Sequence, residues 1–350
     1  MTLGLVRRGS EVVTEEIATA LAARHDVLVL QSGPVGKTKY HAKRVHPLRS
    51  APPPAPRSVL EKCLFRLGLD ARTREVAAFT RAALPAIQAF APDIIVAING
   101  ARQVSLLKGL QGVTLKARIV VFGHAGIGYD DAGNLHARPD LFVALTDEAY
   151  KWARSHANQR TKVIFIPNPI SVPRRATPAP LMLPHPVILT VSALSSYKNV
   201  TNVIRALAPT GKSYILVGDG EESGAVSDAF SGFTGDFRWI KSVPPEEMSG
   251  YYHAADIFCF TPDSQEAFGR VYLEAMAAGL PIVASDDSIR RSIIGTRGVY
   301  VDPHDGESIM SGVKKALVLG KVEYKKELQP YKLTTVVSQI EKEFHDLAHA

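Results

Sequence analysis

Three hundred and fifty residues with a formal net charge of +7 exceed the usual size of one hydrophobic core, so the length predicts two domains. Two cysteines, Cys63 and Cys259, exclude a disulfide framework and a Cys-x-x-Cys metal site. No apolar run approaches the ~20 residues that span a bilayer, and the chain enters its first strand without a signal-peptide core, so it reads as cytoplasmic with any membrane contact peripheral.

The charge is unevenly placed. Residues 1–170 hold 23 Lys and Arg against 13 Asp and Glu, whereas residues 171–350 hold 18 against 21. Residues 36–81 alone carry eleven basic side chains and three acids. That field suits an anionic acceptor or the anionic inner face of a membrane; a solvated basic face is the plainer alternative. Nucleic acid is not expected, because aromatic residues interleave poorly there and no nucleic-acid motif occurs.

In chain order, residues 3–6 read as a strand, 12–24 as an amphipathic helix and 27–30 as a second strand. Gln31-Ser-Gly-Pro-Val-Gly-Lys-Thr38 resembles a phosphate-binding P-loop but fails it: glycine is missing at position 31, and the prolines after residue 46 leave no helix to follow. Ser58-Val-Leu-Glu61 has the form of a capping box. It would open a helix with Leu60, Cys63, Leu64 and Leu67 on one face beside Lys62 and Arg66, either an interfacial segment or an ordinary packed helix. A helix over 72–90, interrupted at Pro85, leads to strands at 94–98 and 117–122. The last ends at Gly123-His-Ala-Gly-Ile-Gly128, whose glycines fall in the opposite order to a dinucleotide fingerprint. His124 sits at the carboxyl end of a parallel strand, where open sheets bind ligands, although a lone histidine is more often structural. Asp130 and Asp131, on the following loop, are weaker acceptor-side candidates. Strands at 141–145 and 163–166 complete this half.

Prolines crowd residues 167–186 as in a stiff linker. The second half restarts with a strand at 187–192, then Ala193-Leu-Ser-Ser-Tyr-Lys198 and a helix to about 208. A strand at 213–217, a Gly218-Asp-Gly turn, a short strand at 238–240 and a helix over 244–256 follow. Residues 299–303 read as a last strand, and 331–350 as a helix with Val336, Val337, Ile340, Phe344 and Leu347 on one face. There is no internal repeat, no Asp-x-Asp pair and no histidine cluster, so no metal or other cofactor is expected.

Residues 257–286 carry the chemistry. The strand at 257–260 is broken at Thr261-Pro262, Glu266 lies on the loop, and a helix runs from about Gly269 until Gly279 and Pro281 stop it. The amides of Phe268, Gly269, Arg270 and Val271 at that helix start would attract an anion. Gly269 would let a phosphate approach the backbone. Glu266 and Glu274 flanking an anion site suit hydroxyl groups, as a sugar nucleotide would present. Two solvated acids are the alternative.

Glu266-Ala-Phe-Gly-Arg-Val-Tyr-Leu-Glu274-Ala-Met-Ala-Ala-Gly-Leu-Pro-Ile-Val-Ala-Ser-Asp286 resembles the E-x7-E signature of the retaining glycosyltransferases of family four. The resemblance implies an α/β GT-B fold: two Rossmann-like domains with parallel sheets facing a central cleft, and a C-terminal helix returning to the first domain. The domains would be 1–168 on the acceptor side, a linker at 169–186, a donor-nucleotide domain at 187–330, and the returning helix at 331–350. The resemblance also implies transfer of a sugar from a nucleotide-sugar co-substrate to an acceptor hydroxyl with retention, as in polysaccharide or glycolipid synthesis. Glu266, His124 and Lys198 would be catalytic; Gly9, Lys198, Gly218, Phe268, Gly269, Arg270, Val271 and Glu274 would bind the donor. Two departures stand out. The first glycine-rich turn is reduced to Gly9, and Ala193 stands where the family has an arginine, a charge that Arg270 would have to supply. A GT-B epimerase or hydrolase, or a non-catalytic binding subunit, is the alternative.

Overall fold

The computed structural model describes residues 1–2, 9–46, 70–171 and 177–350. The strand expected at 3–6 and the helix expected to open at Ser58 lie outside the described residues. The chain divides into two compact units, one of Met1–Pro169 with Leu333–Ala350 and one of Ile170–Lys332.

In the first unit, helix α1 (Gly9–Leu21) leads to β1 (Leu28–Gln31), β2 (His41–Arg44), α2 (Ala71–Phe90), β3 (Ile94–Ala97), α3 (Ala101–Leu110), β4 (Arg118–Phe122), α4 (Tyr129–His136), β5 (Leu141–Ala144), α5 (Asp147–His156) and β6 (Lys162–Phe165). Strands β3 to β6 pair in sequence order, all parallel. All four residues of β5 are buried, as a parallel sheet covered on both faces requires. Phe79, Val104, Leu107, Ile119 and Phe142 fill the core beside it.

Two expectations are corrected, and one strand is added. Pro85 does not interrupt α2, which runs through it with Asp70 capping the Thr73 amide; seven buried side chains outweigh one lost backbone hydrogen bond. Strand β2 was not foreseen, because its exposed His-Ala-Lys-Arg sequence carries no apolar signal and it is held by backbone pairing to β1. Asp130 and Asp131 belong to the first turn of α4 rather than to a loop.

The second unit contains β7 (Val187–Val191), α6 (Val200–Leu207), β8 (Ser213–Val217), α7 (Ser223–Phe230), β9 (Phe237–Ile240), α8 (Pro245–Ala254), β10 (Ile257–Phe260), α9 (Arg270–Ala277), β11 (Ile282–Ser285), α10 (Ser288–Ile294), β12 (Val299–Val301) and α11 (Gly306–Leu319). Its six strands run β12-β11-β10-β7-β8-β9, all parallel. This is the doubly wound order, and β7 and β10 flank the point where the winding reverses. The described part of the proline-rich stretch packs within this unit: Ala179 donates to the Gly250 carbonyl at 3.0 Å and Leu181 is buried.

Helix α12 (Leu333–Ala348) returns to the first unit and buries Val336, Val337, Ile340 and Leu347. Its ion pairs, Glu341 with Arg24 and Glu343 with Lys162, are each 2.7 Å long. The bases are half-exposed or more, so such pairs contribute less than about 1 kcal/mol each. Each buried aliphatic side chain is worth about 2 kcal/mol, so the apolar face holds the helix.

Candidate functional site

A crevice beyond the carboxyl ends of β7 and β10 is where an open parallel sheet binds its ligand. Lys198 comes from the first of the two loops. It ends a 3-10 turn, Ser196–Lys198, which Asn199 closes in the left-handed conformation at φ 53°. Glu266 comes from the second. The Lys198 ammonium and the Glu266 carboxylate form an ion pair with side-chain exposures of 15% and 11%. The ammonium also lies 4.7 Å from the Tyr197 ring centroid and 5.7 Å from that of Phe260. Aromatic faces and a carboxylate thus fix a cation at the switch point.

The two loops are laced together. Asp263 donates its amide to the Tyr197 carbonyl at 2.7 Å, and its carboxylate accepts from Asn199 Nδ2 at 2.5 Å. Arg290, wholly buried on α10, donates to the Glu266 carbonyl at 2.7 Å and the Asp263 carbonyl at 3.3 Å, while Asp287 pairs with its Nε at 2.7 Å. A buried guanidinium needs that many acceptors to offset its desolvation. The result is a rigid backbone under Glu266.

Gly269 caps α9 at φ 82°. A β-carbon there would stand 2.7 Å from the Tyr272 ring, so conformation and packing both require glycine. The Phe268 amide is directed at the Glu266 carboxylate, 3.4 Å away, rather than left open to a ligand. Arg270 and Val271 form the half-buried first turn. Glu274, further along α9, accepts the Tyr252 hydroxyl at 2.7 Å. Burial and the nearby carboxylate push the Tyr252 hydroxyl well above its usual range, whereas Arg270 acts the other way; Arg270 and Glu274 lie four residues apart and so on one face of the helix.

Two family models match the chain: "Glycosyltransferase Family 4" over residues 7–174 and "Glycosyl transferases group 1" over residues 179–332. The chain belongs to the family-four glycosyltransferases. It is 34% identical over 83 residues to the O-antigen chain mannosyltransferase B of Escherichia coli, covering 24% of this chain and 22% of that protein. It is 30% identical over 160 residues to a phosphatidyl-myo-inositol mannosyltransferase of Mycobacterium leprae, covering 43% and 42%. The matches thus span less than half the length of these curated relatives. The Anabaena protein HepE, solved in complex with UDP-glucose, shares the GT-B fold with a TM-score of 0.72 at 18% identity, over 99% of this chain and 98% of that one.

The remaining candidates of this family-four chain fall at loops of the same kind. Gly218 follows β8 at φ 146°, and a β-carbon on it would stand 1.8 Å from the Ser192 carbonyl oxygen; close approach of two loops demands the glycine. Gly9 is exposed at the start of α1, where a β-carbon would meet nothing within 4 Å, so no steric need explains it. Ala193 is exposed beside Ser192, whose hydroxyl donates to the Ala193 carbonyl at 2.8 Å. Among the described residues no group of three or more His, Cys, Asp or Glu is placed to hold a metal ion.

His124, half-buried on the first unit, follows β4 and stacks on Phe122 with ring centroids 6.1 Å apart. Asp131 lies under the same loop: a β-carbon on Gly123 would come 3.0 Å from its Oδ2, and its Oδ1 accepts from Asn134 Nδ2 at 2.9 Å. Burial, with a smaller contribution from Asp130, pushes the Asp131 carboxyl up to about 7. The folded state therefore keeps a proton that the unfolded chain releases near pH 4. Stability from this group is complete at pH below 4 and is lost as pH rises toward 7. Asp131→Asn should accordingly be more stable than the parent above pH 7, with the gap closing toward pH 4. Melting temperatures measured across that range check it; a gap that does not change with pH would refute the assignment.

Sequence reasoning missed Arg290, Asp263, Asn199 and Tyr252. Arg290 and Arg291 are adjacent and chemically identical, and only the rotation of α10 sends one to the core and the other to the surface, paired with Asp286 at 2.6 Å. Asp287, as a helix cap, was the one local signal available.

Proposed function

We propose that the chain transfers a sugar, with retention and without a metal, from a nucleotide-sugar donor to the hydroxyl of an anionic polyol or glycolipid acceptor. The Lys198–Glu266 pair at the switch point of the six-stranded sheet carries this reading, because it sets a cation for a leaving diphosphate against a carboxylate that accepts sugar hydroxyls. Lys198 and the amides at the start of α9 stabilise the negative charge that grows on the diphosphate as the C1–O bond breaks. A phosphate oxygen then assists the incoming hydroxyl from the same face. HepE's complex with UDP-glucose and the mannosyltransferase names of the relatives support a nucleotide-sugar donor. The phosphatidyl-myo-inositol substrate in one relative's name supports a phosphorylated polyol acceptor. Thermal shifts with a panel of sugar nucleotides identify the donor, since a ligand at 100 times its Kd adds ~2.7 kcal/mol. The anomeric configuration of the product, read by NMR, tests retention, and full activity in EDTA tests metal independence. Exposed Ala193 favours one second reading, a non-catalytic binding subunit. Calorimetry separates them: micromolar UDP binding supports the enzyme, and none supports the subunit. Donor turnover without acceptor would instead indicate a hydrolase or epimerase.

We assign Glu274, which accepts the Tyr252 hydroxyl, to the ribose hydroxyls of the donor. Glu274→Gln should raise the donor KM roughly tenfold with little change in kcat, because such a contact is made equally in ground and transition states; losing one charged hydrogen bond is worth about 1.5 kcal/mol. An unchanged KM with a collapsed kcat would sink the ribose assignment.

We place the protein at the inner face of a membrane, attached peripherally. No described helix is long and apolar enough to cross one, and the +8 of residues 36–81 supports attraction to anionic lipid at ~1 kcal/mol per base near the surface. Sedimentation with anionic vesicles should be strong at 20 mM salt and lost at 500 mM, as screening shortens. Indifference to anionic vesicles at low salt would leave a soluble acceptor as the account of the charge.

A further inference from the structure

The last turn of α11 departs from the rest of that helix. Its inner face buries Ile309, Gly312, Val313 and Ala316, yet Val318 is 88% and Leu319 53% exposed. Gly320 then ends the helix in the left-handed region at φ 63°. The segment leading into β7 runs beside this end: His185 and Pro186 line one cavity with Leu317, Gly320 and Lys321. Met182, 89% exposed, stands three residues before His185, so its Cα lies within about 11 Å of that of His185.

These aliphatic side chains lie among lysines. Residues 314–326 hold Lys314, Lys315, Lys321, Lys325 and Lys326 against one acid, Glu323, which pairs with Lys325 at 2.5 Å. Lys314 and Lys315 are exposed and precede Val318 and Leu319 by four residues each, so each shares a helix face with an exposed aliphatic. The helix dipole accounts for basic residues near a carboxyl end; it does not account for aliphatic ones in water. Exposed aliphatics among lysines suit anionic lipid: the apolar groups enter the headgroup region while the ammonium groups meet phosphates. A second copy of the chain fits less well, because a two-fold contact would set these lysines against their own copies.

The patch also has a definite place in the second unit. The cavity beside it takes in Asp256, just ahead of β10, and Val322 donates its amide to the Gly279 carbonyl, just ahead of β11, at 2.9 Å. It therefore stands at the amino ends of the strands, whereas Lys198 and Glu266 stand beyond the carboxyl ends of β7 and β10.

We infer that the end of α11, the turn after it and Met182 form a docking surface for an anionic phospholipid bilayer, with Val318 and Leu319 in the headgroup region and Lys314, Lys315 and Lys326 on lipid phosphates. This surface is separate from residues 36–81 and rests neither on them nor on the glycosyltransferase reading. Docked so, the second unit turns its crevice away from the lipid, toward the water from which a nucleotide sugar arrives. The probe is vesicles of phosphatidylglycerol and phosphatidylcholine in equal parts, mixed with the full chain at about 20 mM salt, where charge is little screened. Val318→Asp/Leu319→Asp should lose at least tenfold of the vesicle affinity read by sedimentation, and Lys314→Gln/Lys315→Gln/Lys326→Gln as much. Leu319→Trp reports the contact directly: with brominated phosphatidylcholine in the vesicles, its added fluorescence should be quenched at least twofold. That readout decides alone should a multiple variant fail to fold. Folded multiple variants that bind like the parent, or an unquenched Leu319→Trp, overturn the inference and leave residues 36–81 as the lipid contact. A parent that ignores these vesicles overturns both. A parent dimer that Val318→Asp/Leu319→Asp converts to monomer, with vesicle affinity unchanged, overturns it in favour of a second copy.

Discussion

Lys198→Ala is expected to reduce kcat by 10²- to 10³-fold, the effect of removing one preorganised donor to a developing negative charge, about 3 to 4 kcal/mol. Donor KM should change much less, because the charge on the leaving diphosphate grows only as the bond breaks. Part of the loss has a second origin. Glu266 is 8% exposed, and without the Lys198 ammonium its carboxylate is buried with no cation against it. Lys198→Gln keeps a hydrogen-bond donor but not the charge and separates the two effects: it should recover part of the lost melting temperature but not kcat. Steady-state kinetics and thermal melts on both variants check this, and activity of Lys198→Ala within threefold of the parent would show that the diphosphate lies elsewhere.

Gly218→Ala is expected to be the most damaging small substitution in the second unit. The 1.8 Å approach to the Ser192 carbonyl involves backbone on both sides, so relief requires the β7 and β8 ends to separate. Overpacking of this kind and a left-handed alanine each cost about 1 to 3 kcal/mol, together roughly 4 kcal/mol, or about 10 °C of melting temperature for a unit of this size. UDP affinity should fall as well, since Lys198 lies on the loop that Ser192 begins. Gly9→Ala is the control: with open space around it, it should melt within about 1 °C of the parent. A Gly218→Ala protein as stable as that control would refute the account.

The sequence was informative where a residue's type alone decides its place. Buried strands such as β5, β8 and β10 are β-branched or aromatic runs with turn residues at their ends, and the spacing of Glu266, Gly269, Glu274 and Gly279 locates the second-unit loop that bears Glu266. It was uninformative where identical types take different roles. Arg290 and Arg291 could not be told apart, β2 is a strand by pairing alone, and Asp131 is buried only because α4 begins at Tyr129. The Lys198–Glu266 pair joins residues 68 apart, which no local pattern can register; family resemblance named both but not their contact.

The parallel bridge between Ile170 and Lys332, with the Ile170 amide on the Tyr331 carbonyl at 2.8 Å, bears on the order of folding. The first unit takes α12 from beyond an insertion of about 160 residues, and closing so long a loop costs about 4 kcal/mol of chain entropy. The second unit is contiguous and joins its own two ends at that bridge. Once it has folded, α12 emerges beside the point where the first unit's chain left off, and its docking becomes a nearly local event. Synthesis order then matters: α12 is made after the second unit, whose folding shortens the gap it must close to reach the first.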